Sequence, residues 1–226
     1  MLYIFDFDGL LVDTERIHYR AFMDVFTEFG LEIISFWKFC RLAHKDINHL
    51  RDYLFDKYKN YDVNINFDFD KLYTRKKERY GELINDINTN INMMPGATKT
   101  LQWCKMNGGT IIVVTNSSKE DVYQITKRHI ILNQCVDHWI TRDMYHKSKP
   151  DPECYHLCMK LYGDQETAIG FEDSIKGIQA MTKCGSITAT GICLLDYPFY
   201  DEIFMMTGGM IYETFTDWLS QNVEKK

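Results

Sequence analysis

At 226 residues with 45% hydrophobic positions, the chain has enough apolar material for one α/β domain, or for a core carrying a smaller insert. Its net charge of -6 and its scattered Lys and Arg exclude the cationic face that a nucleic-acid backbone requires. No apolar run approaches a membrane span, and the first is cut off at Asp6, too short for a signal peptide. The seven cysteines, without CxxC or Cys/His spacing, read as buried reduced thiols and point to a cytoplasmic compartment.

Residues 2–7 read as a buried strand. The next segment reads as a helix, with Ile17, Ala21, Phe22, Val25, Phe26 and Phe29 at helical spacing. Asp13 or Thr14 can cap its start and Gly30 its end. Residues 35–59 and 67–88 read as further helices, until Met94-Pro95-Gly96 breaks the pattern. A helix over 97–107 then precedes a strand over 110–115, a helix from about 119 and a short strand at 138–141. Asp151 can cap a helix over 152–162. A strand at 167–171, a helix at 174–184, strands at 187–195 and 210–212 and a helix at 214–222 complete the chain. Strands alternating with helices predict an α/β fold, a doubly wound parallel sheet. The block between the first strand and Pro95 offers no partner strands, which predicts an inserted α-helical cap. The expected division is 1–14 and 92–226 for the core and 15–91 for the cap.

The chemistry begins at Asp6 and Asp8. In a strand, residues two apart share a side, and two carboxylates that close repel each other unless a cation or proton intervenes. The pair reads as a Mg2+ site, a nucleophile beside a general acid, or both. Three further polar clusters follow strands or precede helices: Thr115-Asn116-Ser117-Ser118, Lys149, and Glu172-Asp173-Ser174. Ligands of open α/β sheets bind at the carboxyl ends of the strands, so the four clusters are expected to converge. Acids, a hydroxyl, a lysine and helix-start N–H groups suit a phosphate together with a hard dication.

Four motifs carry a family resemblance: Asp6-x-Asp8-Gly9-x-x-x-Asp13-Thr14-Glu15, Val113-Val114-Thr115-Asn116-Ser117, Lys149-Pro150-Asp151-Pro152, and Gly170-Phe171-Glu172-Asp173-Ser174 with Gly177. The chain resembles the haloacid dehalogenase superfamily, in the subgroup with a helical cap after the first strand. The resemblance implies a Mg2+-dependent phosphatase acting on a small phosphorylated metabolite of the sugar-, polyol- or nucleoside-phosphate class. Asp6 would be the nucleophile that forms an aspartyl-phosphate, and Asp8 the general acid and base. Mg2+ would bind Asp6, the Asp8 carbonyl and Asp173, with Glu172 in or beside that shell. Thr115 and the Asn116 N–H would hold phosphate oxygens, and Lys149 would balance the charge.

In the cap, Phe69, Leu72, Tyr73, Tyr80, Leu83, Ile84 and Ile87 form one stripe, and Lys76 falls on it. Lys76 reads either as a snorkelling lysine or as a substrate-facing cation. Arg75–Tyr80 resembles the cap of β-phosphoglucomutase, where a lysine matching Lys76 contacts substrate. His18 matches a histidine of the same mutase, but it stands in a Thr-Glu-x-x-His pattern that many phosphatases of the subgroup share, and reads as a packing or hinge residue before a catalytic one. Asp46 stands where the mutase has a cap arginine. Other segments resemble small sugar-phosphate phosphatases and pseudouridine-5'-phosphatase. A phosphosugar mutase is therefore the second reading, and a non-catalytic binding protein on the same fold the third. A monomer or weak dimer is expected, with neither nucleic acid nor membrane as partner.

Overall fold

The computed structural model describes residues 1–59, 68–163 and 167–223. Residue 67, the expected start of the second long cap helix, lies outside them. The chain divides into two compact units, one of residues 15–90 and one of residues 1–14 with 91–226.

The first of these is helical: α1 (Glu15–Glu28), α2 (Phe36–Ala43), α3 (Ile47–Tyr58) and α4 (Phe69–Asn85). α1 buries Ile17, Ala21, Phe22, Val25 and Phe26 along one stripe and packs on α4. It closes where the Leu31 N–H returns to the Phe26 carbonyl, with Gly30 at φ 70°. The single helix expected over 35–59 is two helices. Asp46 adopts an extended backbone and its carboxylate accepts the Asn48 N–H at 2.9 Å, so a new N-cap starts there. α4 buries Phe69, Leu72, Lys76, Tyr80, Leu83 and Ile84. Ile87, expected on the same stripe, lies past the helix end and is 90% exposed. Arg75 bridges Glu28 and Glu82, and Arg79 bridges Asp24 and Glu82. These pairs are solvated, so they favour one register of α4 on α1 more than they stabilise it.

The other unit is a six-stranded, wholly parallel sheet. Its strands are β1 (Leu2–Phe5), β2 (Thr110–Val114), β3 (His138–Ile140), β4 (Ala168–Glu172), β5 (Ile187–Ile192) and β6 (Ile211–Tyr212). Their order is β3-β2-β1-β4-β5-β6, which puts β1 at the centre. Among the described residues seven α-helices accompany the sheet: α5 (Ala97–Met106), α6 (Lys119–Thr126), α7 (Ile130–Cys135), α8 (Glu153–Tyr162), α9 (Ile175–Cys184), α10 (Tyr200–Met206) and α11 (Phe215–Asn222). α5 and α8 pack on β2, and α9 on β4 and β5. Burial on both faces explains why β1 and β2 are continuous apolar runs rather than alternating ones. Phe5 stacks on Phe171 at 4.8 Å, and Phe171 meets Trp218 edge-on at 5.0 Å. Such aromatic pairs add about 0.5–1.5 kcal/mol each beyond the area they bury.

Two short helices, α7 and α10, were not expected. β5 stops at Ile192 rather than at residue 195, because its partner β6 is two residues long and the ladder ends with it. All seven cysteines are buried and free. Among the described residues no helix is long and apolar enough to cross a membrane.

Candidate active site

The strand β1 is fully buried and delivers Asp6 at its carboxyl end, where the Asp6 N–H still bonds to the Phe171 carbonyl at 3.0 Å. Gly9, at φ 79°, then turns the chain back so that its N–H meets the Val12 carbonyl at 2.8 Å. Beyond Phe5 the chain leaves the strand, and the Asp6 and Asp8 carboxylates are held by different partners, although the Asp8 charge still reaches Asp6 and adds to the upward push on it.

Asp6 faces Lys149. The Lys149 ammonium lies 2.5 Å from Asp6 Oδ1, 2.7 Å from Glu172 Oε1 and 2.8 Å from the Val114 carbonyl. Lys149 is 5% exposed and Glu172 is 0% exposed, so these charges interact with little screening. Glu172 Oε1 also accepts the Tyr155 hydroxyl at 2.7 Å, and Oε2 accepts the Ser174 hydroxyl at 3.2 Å. Burial, with Glu172 adding to it, pushes the Asp6 carboxyl well above the usual carboxylate range, and Lys149 opposes this. Burial alone would discharge Lys149, but Asp6 and Glu172 hold its ammonium well above the ordinary lysine value. Burial and the Glu172 carboxylate raise the Tyr155 hydroxyl far enough that it remains a donor. Gly177 makes room for this arrangement: a Cβ there would stand 1.9 Å from the Glu172 carboxyl group.

Asp8 is held by hydroxyls. Thr14 Oγ1 donates to its Oδ1 at 2.8 Å, while Thr115 Oγ1 and Ser117 Oγ donate to its Oδ2 at 3.0 and 2.6 Å. Thr115 Oγ1 also accepts the Ser117 N–H at 2.9 Å. The hydroxyl expected to meet a phosphate oxygen is thus turned onto Asp8. Asn116, at an exposed position after β2, has its Oδ1 within 2.8 Å of the Tyr145 hydroxyl and accepts the Lys149 N–H at 3.2 Å. The loops after β2 and β3 are tied together at this point.

One oxygen each from Asp6, Glu172 and Asp173 lies within 4.8 Å of the others. One lysine cannot offset three carboxylates, and an all-oxygen donor set is what a hard dication such as Mg2+ prefers. The cluster fits that ion. The Asp8 carboxylate accepts three hydroxyls and is not among these three acidic groups.

In the helical unit, His18 and Lys76 meet each other. The Lys76 ammonium is 2.8 Å from His18 Nδ1 and lies over the rings of Phe22 and Tyr80 at 5.0 and 5.1 Å. His18 stacks on Tyr80 at 4.0 Å. Lys76 is 7% exposed, so it does not snorkel to solvent. Glu15 Oε2 lies 3.0 Å from His44 Nε2. Burial and Lys76 push His18 down to about 3, so its ring is neutral. Burial disfavours both charges of the other pair, yet attraction prevails: Glu15 is held at about 2 and His44 at about 10.

These shifts define a pH dependence. His44 contributes stability that is complete below its unfolded value of 6.5 and is lost as pH rises through about 10. Glu15 contributes above its unfolded value of 4.5 and is lost as pH falls through about 2. His18 works against the fold below 6.5, where the unfolded chain takes up a proton that the folded chain refuses. Near pH 6.5, His44→Gln is expected to cost about 2 kcal/mol, less than the ~3–5 of a fully enclosed pair. The discount reflects the 28% and 14% exposure that Glu15 and His44 retain. Urea titrations should find the wild type's advantage shrinking between pH 7 and 10. A constant advantage over that range would discount the pair.

Sequence reasoning named Asp6, Asp8, Thr115, Asn116, Lys149, Glu172 and Asp173; the structure joins Lys149 to Asp6 and Glu172, and Thr115 to Asp8, and adds partners that reasoning left out. Tyr155 lies on the apolar face of α8 beside Cys154 and Cys158, where an aromatic reads as core. Its hydroxyl was the available signal, since a buried hydroxyl on an apolar stripe needs a partner. Tyr145, and Ser117 and Thr14 as anchors of Asp8, gave no periodic signal.

Residues 3–190 match the family model of the haloacid dehalogenase-like hydrolases. A haloacid dehalogenase-like hydrolase domain-containing protein of Arabidopsis thaliana is 26% identical over 207 residues. The match takes in 80% of this chain and 65% of that relative, so the chain spans just under two thirds of its length. A phosphorylated carbohydrates phosphatase of Thermotoga maritima is 25% identical over 188 residues, 80% of each chain. A solved haloacid dehalogenase family hydrolase of Deinococcus radiodurans, with phosphate and sodium bound, superposes with a TM-score of 0.76 at 17% identity, over 99% of this chain and 95% of that one. At that identity the likeness concerns the fold alone.

Proposed function

We propose, since the chain belongs to the haloacid dehalogenase-like hydrolase family, that it hydrolyses a small phosphomonoester through a phosphoryl group carried by Asp6. The observation that carries this reading is the Asp6 carboxylate, held by Lys149 at the carboxyl end of the central strand beside two further carboxylates. Asp6 attacks phosphorus, and Lys149 holds the attacking carboxylate in place while balancing the charge around it. Asp8 protonates the leaving alcohol and then takes a proton from the attacking water. Rotation of the Thr115 hydroxyl away from Asp8 serves both ends, because it turns a donor toward a phosphate oxygen and loosens the acid. The Asn116 N–H takes a second phosphate oxygen. Asp6, Asp173, the Asp8 carbonyl and, in or beside that shell, Glu172 would hold Mg2+, which when bound neutralises carboxylate and phosphate charge together.

The helical unit serves as the cap, with Lys76 and His18 as its substrate-side residues. The substrate class is a sugar or polyol phosphate, in keeping with the Thermotoga maritima relative named a phosphorylated carbohydrates phosphatase. Asp46, at the place of a mutase cap arginine, is engaged as the N-cap of α3. That supports water, rather than a second sugar hydroxyl, as the phosphoryl acceptor.

Phosphorus NMR on a panel of phosphorylated metabolites, with Mg2+ and with a chelator, tests the whole reading. Free phosphate should appear from at least one sugar or polyol phosphate when Mg2+ is present and disappear in chelator. Full turnover in chelator would remove the metal from the reaction. Isomerised β-glucose 1-phosphate accumulating ahead of free phosphate would make the chain a mutase. Silence across the panel and on an aryl phosphate would favour a binding protein.

A further inference from the structure

We infer that Tyr155 is a positioning residue for the acid cluster, its hydroxyl and ring fixing Glu172 and Lys149 in the arrangement that lets the cluster hold a divalent cation. This rests on the metal reading proposed above.

Glu172 Oε1 receives two donors at 2.7 Å, the Tyr155 hydroxyl and the Lys149 ammonium. That oxygen is committed to protein donors, which leaves Oε2, with the Ser174 hydroxyl at 3.2 Å, as the oxygen that can face a cation. The terminal torsion of a glutamate is broad, so the carboxylate needs an outside restraint to keep its two oxygens in these separate roles. Tyr155 supplies it from one side. Gly177 leaves room for the group on the other, since a Cβ there would collide with it at 1.9 Å. Tyr155 also presents its ring to Lys149, whose ammonium lies 5.0 Å from the centroid.

The placement follows from the local sequence. Asp151 Oδ1 accepts the Glu153 N–H at 3.0 Å, and α8 begins at Glu153, four residues after Lys149. Tyr155 falls on the inner face of the first turns, between the buried Cys154 and Cys158. A phenylalanine would fill that space. A hydroxyl placed there is favourable only because Glu172 accepts it.

The test is Tyr155→Phe, which keeps the ring and the packing. Mg2+ binding is measured by calorimetry on the purified protein, without substrate, alongside melting temperature and turnover of an aryl phosphate. Removing a partner that orients a metal-binding carboxylate weakens metal binding about 10–100-fold in comparable sites. The variant is expected to bind Mg2+ roughly tenfold more weakly, and to regain most of its turnover when Mg2+ is raised to match. Equal Mg2+ affinity in variant and wild type overturns the inference, whether or not the melting temperature falls. A wild type that takes up no Mg2+ overturns the metal reading and this inference with it.

Discussion

Asp6→Asn is expected to reduce turnover by about four orders of magnitude, a barrier increase of about 5–6 kcal/mol at ~1.4 kcal/mol per tenfold. A carboxamide keeps the size and the hydrogen-bonding reach of the side chain but cannot attack phosphorus. The fold should survive. Burial and Glu172 already oppose the Asp6 charge, so a neutral group there relieves repulsion while giving up the attraction to Lys149. The melting temperature without Mg2+ should therefore stay close to that of the wild type, while the upward shift on adding Mg2+ should shrink. The pattern separates a lost nucleophile from a lost fold. Residual turnover within tenfold of the wild type, in a folded sample, would sink the assignment of Asp6.

Lys149→Met is expected to injure stability and turnover together. The ammonium serves Asp6, Glu172 and the Val114 carbonyl at once. Methionine fills most of the stem but leaves two buried carboxylates facing each other and a carbonyl without its donor. Removing one member of a buried ion pair costs about 3–5 kcal/mol. Urea denaturation should register a loss of that size in chelator and a smaller one in Mg2+, since a bound dication restores part of the missing charge. Turnover should fall by roughly a hundred- to a thousandfold, the usual cost of removing one charge-stabilising donor. A stability loss below ~1 kcal/mol in chelator would mean that the three groups do not share charge as their distances imply.

The parts of this architecture that the sequence exposed are the parts with punctuation. The runs ending at Phe5, Val114 and Glu172 are apolar because both faces of a parallel strand are covered, and each stops at a polar residue that opens onto the site. Ser174 announces a helix start, and its side chain caps α9 by accepting the Gly177 N–H; Asp151, expected to cap α8, sits one residue too early, since Pro152 holds the N-cap and Asp151 accepts the Glu153 N–H from outside it. What stayed hidden has no periodicity. α7 starts at His129 without a side-chain cap and α10 at Phe199 likewise. Asp46 stands where a mutase has a cap arginine, and nothing in its neighbours' spacing shows that its use in the fold is to begin a helix. The hydroxyls on Asp8 come from three positions, Thr14, Thr115 and Ser117, that become neighbours through β1 and β2 pairing. No local reading of any one of them reveals that they converge on one carboxylate.

The central position of β1 also sets an order of events as the chain is made. Leu2 pairs with Thr110 on one side and Ala168 on the other. The most enclosed strand of the sheet is therefore synthesised first, and must wait for both neighbours while the whole helical unit emerges between them. Until β2 arrives, Leu-Tyr-Ile-Phe is an apolar segment with no edge to join, the kind of segment that invites mispairing in a crowded setting. The helical unit is continuous in sequence, so it can gather its own contacts at once. Rapid early collapse of residues 15–90 would shorten the effective loop between β1 and β2 and lower the entropy cost of closing the sheet. The helical unit would then also act as a folding spacer for the unit that carries the sheet.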